Sequence, residues 1–116
     1  PWVHLCTAKS FQRIYTMGLS SEMANHGVRV VGVAPGLVPT EGMLAATDPA
    51  AFKALAEQGP LGRACSPEDV AAAVVFVASD EASFMTGTIL PIDGGTSSLV
   101  RGGRRMMRPA APAPAR

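Results

Sequence analysis

Three features of this 116-residue chain have residue types and spacing that could do chemistry: an ammonium at Lys9, a Pro35-Gly36 bend, and a hydroxyl at Thr40. The stretch from Gly27 to Thr40 reads GVRVVGVAPGLVPT. Val28, Val30, Val31 and Val33 make an apolar, β-branched run with no polar alternation. That pattern suits a strand covered on both faces, as in a parallel sheet between helices. In open α/β sheets, ligands are met just beyond the carboxyl ends of the strands. Pro35, Gly36 and the Thr40 hydroxyl therefore stand where a ligand would be met.

The elements that position these groups follow from periodicity. Residues 9–25 read as a helix, because Phe11, Ile14, Tyr15, Leu19 and Met23 recur at spacings of three and four. Lys9 is expected at its mouth, and Gly27 suits the left-handed position that ends it. A strand over 28–34 comes next. Residues 41–65 read as a long loop with one helical piece at 49–56 after Asp48, a fair N-cap; so long a connection is usually functional. Ser66 with Pro67 starts the next helix, with Asp69 at the capping-box position. Its Val70–Ala78 run is apolar all round and predicts burial. A second strand, 87–93, carries Pro91, which fits an edge strand. The two strands should lie parallel, joined by a right-handed crossover.

Taken in order, Lys9, the Pro-Gly bend with its Thr40, Pro60-Leu61-Gly62-Arg63 leading into Ser66-Pro67-Glu68-Asp69-Val70, and GTILPID closing on Gly94-Gly95 resemble the C-terminal half of a short-chain dehydrogenase/reductase. The resemblance covers residues 5 to about 95. It implies an α/β fold, the C-terminal part of a Rossmann-type doubly wound parallel sheet with two strands in this chain. It implies NAD or NADP as cofactor and a small-molecule alcohol or carbonyl substrate, interconverted by hydride transfer. Lys9 would bond the nicotinamide ribose hydroxyls, the backbone near Val38 the carboxamide, and Thr40 the cofactor, with Gly36 letting the chain approach the ring. It also implies a flexible substrate loop and a homodimer or homotetramer.

Two positions depart from the family pattern. A tyrosine is expected four residues before the lysine, where the chain has Leu5; the asparagine expected two residues after Arg29 is Val31. Valine fits a buried strand. Leu5 removes the proton donor whose pKa the lysine would lower from about 10. Tyr15 lies nearly two turns further on and points elsewhere. His4 brings an imidazole next to Leu5, but adjacent helical residues face about 100° apart, so it misses the substrate unless the helix starts after it.

The chain is 47% hydrophobic, enough to supply a core. Residues 1–100 hold five Lys/Arg and nine Asp/Glu, net −4, while 101–116 hold five Arg and no acid. The acidic body and the lack of interleaved aromatics speak against nucleic acid as partner. The Pro, Ala, Gly and Arg of 101–116 predict a disordered basic tail following a 1–100 domain. No run is long enough for a membrane span. Two cysteines without metal spacing read as free thiols of a reducing, cytoplasmic compartment. With two strands, a first residue Pro and no Gly-x-Gly-x-x-Gly, the chain reads as a piece lacking the half that holds the pyrophosphate turn. Met43, Leu44 and Phe52 read either as core or as a lid over an apolar substrate. Asp93-Gly94-Gly95 reads as a structural turn, with a subunit contact as its further use. Against the enzyme reading stands a non-catalytic relative that serves as a structural or binding subunit.

Overall fold

The computed structural model describes residues 2–98. The expected tail over 101–116 lies outside them. Helix α1 spans Trp2–Met23 and continues as a 3₁₀ turn over Ala24–His26, closed by Gly27 at φ 68°. Strand β1 is Gly32–Pro35, followed by α2 (Glu41–Ala46), α3 (Pro49–Ala56) and α4 (Pro67–Ala78). A 3₁₀ turn at Asp80–Ala82 leads to β2 (Ile89–Ile92), and another at Thr96–Ser98 closes the described chain.

β1 and β2 pair in parallel, Gly32 opposite Ile89 and Pro35 opposite Ile92. The crossover runs through α4, which packs on both strands. Both strands are shorter than the apolar runs suggest. Upstream of Gly32 the chain faces a turn rather than a strand: Val30 N donates to the Thr86 hydroxyl and its carbonyl accepts from Gly87 N. Arg29 fastens the same region, its guanidinium donating to the Ser79 carbonyl at 3.1 Å and the Met85 carbonyl at 3.2 Å. It thereby satisfies a carbonyl at the C-terminal end of α4 that the helix itself leaves free.

α1 meets the strands through small residues. A Cβ on Gly87 would stand 2.6 Å from Ser20 Oγ, and one on Gly32 3.8 Å from Thr16 Oγ1. Gly87 precedes β2 and Gly32 opens β1, so the path from Ser20 to Thr16 follows the strands toward their carboxyl ends. α1 therefore runs antiparallel to β1 and β2.

Several expectations need correction. The helix begins at Trp2, so Lys9 is in its third turn rather than at its mouth, and the helix dipole does not oppose it. His4 is inside the same helix, so the condition for its reaching the site fails. The apolar stripe does not face the strands throughout: Leu19 and Met23 are half-buried, but Phe11 and Ile14 are each 66% exposed, on the side away from Thr16 and Ser20. α4 is not buried either, with Val75 69% exposed. It packs against the two strands and the 3₁₀ turn that follows it, and leaves Val74, Val75 and Phe76 exposed. Among these residues only Ala82 and Ser20 are fully buried, so the apolar content builds no closed core within them. The 41–65 loop also holds one more helix, α2, than its sequence suggests.

Candidate functional site

The site is built at the carboxyl end of β1. Gly36 N donates to the Ile92 carbonyl at 3.0 Å, continuing the ladder one step past Pro35. A Cβ on Gly36 would lie 2.9 Å from the Asp93 Cα, so close passage of the two strand ends is what first requires glycine there. Leu37 follows, its carbonyl accepting from Cys65 N at 2.9 Å. Val38 is half-buried and its carbonyl accepts from Thr40 N at 2.9 Å. Thr40 is exposed and caps α2, its Oγ1 accepting from Met43 N at 3.3 Å. That cap uses the oxygen as acceptor and leaves the hydroxyl proton to donate to a ligand.

Lys9 comes to this place by geometry. Seven residues before Thr16 is nearly two full turns, so Lys9 shares Thr16's face and lies about 10 Å further along. Gly32 to Pro35 advances about 10 Å in the same direction. On that spacing Lys9 would reach the level of Pro35 and Gly36. It is exposed and takes part in no ion pair among the described residues, where the sole pair is Arg63–Asp69. Leu5 stands one turn beyond Lys9 on the same face.

A second set of contacts walls this end of the sheet. Gly94 and Gly95 take φ values of 60° and 84°, open to glycine; the missing Cβ of Gly95 admits Pro60, and Leu61 packs beside Gly94. The Asp93-Gly94-Gly95 turn therefore serves as the seat of the 60–63 segment. The Asp93 carboxylate accepts from Gly95 N and Ser97 N. Hydrogen bonding from Ser97, then from Gly95, pulls its pKa below the usual carboxylate range.

Arg63 forks onto Asp69, with Nη1 2.6 Å from Oδ2 and Nη2 3.1 Å from Oδ1. Asp69 also accepts from Ser66 N at 2.8 Å, and its own N–H donates to Ser66 Oγ, completing the capping box of α4. The bond from Arg63, then those from Ser66, hold the Asp69 carboxyl well below its usual range, and Asp69 in turn raises the Arg63 pKa. Burial, then the Asp69 charge, pushes the Cys65 thiol up, so it is no activated nucleophile. Cys6 and Cys65 are both free.

Sequence reasoning passed over Arg29, Arg63 as a partner for Asp69, and Thr40 as a cap. The last had a signal, a threonine followed by Glu41 at a helix start. No group of three or more His, Cys, Asp or Glu among the described residues is placed to hold a metal, and no helix there is long and apolar enough to cross a membrane.

Comparison with known proteins gives this arrangement its relatives. A family model described as enoyl-(acyl carrier protein) reductase matches residues 3–97. An uncharacterized oxidoreductase of Bacillus subtilis (strain 168), YmfI, is 42% identical over 88 residues, covering 76% of this chain and 36% of the relative. A 3alpha-hydroxysteroid dehydrogenase of Mediterraneibacter gnavus is 46% identical over 83 residues, covering 72% of this chain and 33% of the relative. The crystal structure of a short-chain type dehydrogenase/reductase from Mycobacterium marinum superposes with a TM-score of 0.73 at 35% identity, covering 83% of this chain and 37% of that one. The chain spans about a third of the length of the curated relatives it matches.

Proposed function

The chain belongs to the short-chain dehydrogenase/reductase family, and from that membership we propose that it works in an NAD(P)-dependent oxidoreductase interconverting an alcohol and a carbonyl. The observation that carries this reading is the bend at Pro35 and Gly36, where the ends of β1 and β2 pass backbone to backbone; the spacing along α1 supports it by bringing Lys9, an ammonium with no ion-pair partner among the described residues, toward the same end.

The residues present suit the nicotinamide–ribose end of the cofactor. Lys9 would donate to the ribose hydroxyls and the Thr40 hydroxyl to the cofactor, while the Val38 backbone would hold the carboxamide. Pro35 and Gly36 set the direction in which that backbone leaves the sheet. When bound, the nicotinamide supplies or takes up the hydride. The pyrophosphate half finds no matching Gly-x-Gly-x-x-Gly in these 116 residues.

The protein's remaining task is to move one proton. The family's phenol would stand at position 5, within reach of Lys9's charge. Leu5 offers no proton, and His4 points about 100° away around α1. The proton step is then left to solvent, and turnover is slow. The relatives carry the names of dehydrogenases and oxidoreductases, which lends the non-catalytic alternative no support. The exposed faces of α1 and α4 favour assembly as a homodimer or homotetramer, and the two free thiols fit the reducing cytoplasm.

Calorimetric titration with nicotinamide mononucleotide and with adenosine monophosphate tests the reading. The first is expected to bind and the second not to. Equal behaviour of the two would count against a nicotinamide-specific site.

A further inference from the structure

The segment 38–64, which carries α2 and α3, leaves and rejoins the body at a neck. Its two sides are joined there by the bond from Cys65 N to the Leu37 carbonyl, 2.9 Å long. Beside the neck, Arg63 forks onto Asp69, and the same carboxylate accepts from Ser66 N. Cys65 is therefore bracketed by two residues fastened to a single carboxylate at the start of α4. Its N–H can swing little, and it grips the carbonyl of Leu37, the residue before Val38. The Arg63 Nη1 also donates to the Ala64 carbonyl at 3.0 Å, fixing the peptide between Ala64 and Cys65.

From these contacts we infer that Arg63 is a positioning residue: by clamping Asp69 it holds Cys65 against Leu37, and so sets the path of the Val38–Thr40 backbone. Both partners of the pair meet water, their side chains 57% and 32% exposed, so a long-range attraction is screened and the two-pronged geometry does the holding. A lysine would keep the charge and lose the fork. The contacts stand by themselves; their consequence for a nicotinamide ligand rests on the function proposed above.

The test is residue-resolved amide exchange on the full chain, comparing the parent with Arg63→Gln and Arg63→Lys. In Arg63→Gln, exchange at Cys65 and Thr40 is expected to quicken about tenfold, while Gly32 and Gly36, bonded to the Thr88 and Ile92 carbonyls, keep the parent rate. Arg63→Lys should recover part of the protection. Unchanged exchange at Cys65 and Thr40 would overturn the inference. So would an equal quickening at Gly32 and Gly36, which marks a general loss of stability. In a second arm, the dissociation constant for nicotinamide mononucleotide should rise about tenfold in Arg63→Gln. Equal affinity in parent and variant overturns the positioning role. Absence of binding in the parent overturns the nicotinamide reading, and the exchange rates alone then decide the clamp.

Discussion

Gly36 passes the Asp93 Cα so closely that a Cβ on the glycine would stand 2.9 Å from it. The contact joins the two strand ends on which the site is built, and both sides of it are backbone, which cannot swing aside. Gly36→Ala should therefore destabilise the chain by about 1–3 kcal/mol, the range for an overpacked position. Urea denaturation measures this, and an unchanged midpoint would show that the strand ends are free to part.

The departure at Leu5 has a spectroscopic test. Position 5 is one helical turn from Lys9 on the same face of α1. A phenol introduced by Leu5→Tyr would have an ammonium beside it that favours the phenolate, so it should titrate about one unit below the usual value near 10. Absorbance of the phenolate, taken as a difference from the parent, reads that pKa. Adding Lys9→Met to the variant should return it toward 10. An unshifted phenol would mean that the two side chains do not meet.

Much of this was legible from the residues. Ser66-Pro67 with Asp69 announced α4 and its capping box, and Asp48 announced α3, because caps are local chemistry. The parallel pairing followed from two apolar runs joined by a long helical connection. What stayed hidden depends on partners distant in sequence. Arg29 reaches carbonyls at Ser79 and Met85, and Gly36 answers to Asp93, neither of which any spacing reveals. The apolar run of α4 misled, since it reports a preference for burial and not what covers each side. Lys9 was rightly placed in a helix but wrongly at its mouth, because the apolar spacing that marks the helix starts only at Phe11, while the helix itself already includes Trp2.

Asp69 gives a signed dependence on pH. Its carboxyl is held below the usual range in the folded chain, so its contribution is complete above the unfolded value near 4. That contribution is lost as pH falls from there toward the lowered folded value. The difference in Tm between the parent and Asp69→Asn should stay constant from about pH 8 to pH 5 and narrow below about pH 4. A gap that remained full at about pH 2 would contradict the assignment.

The outer face of α1 should mediate self-association. Phe11 stacks on Tyr15 with ring centroids 5.8 Å apart, and Ile14 lies beside them, all turned away from the strands. Sedimentation of the parent chain at micromolar concentration should show a dimer or larger species. Phe11→Glu combined with Ile14→Glu should shift it toward monomer. A monomeric parent would remove this face as an interface.

The central claim is that Lys9, Val38 and Thr40 meet one ligand end at the carboxyl edge of β1. Amide chemical-shift mapping with nicotinamide mononucleotide tests it most directly, in the parent and in Lys9→Met and Thr40→Val. The predicted result is a set of saturable shifts confined to the first turns of α1 and to residues 35–40, with affinity reduced about tenfold or more in each variant. Shifts centred on α4 or the Asp93-Gly94-Gly95 turn, or binding that both variants retain in full, would contradict it.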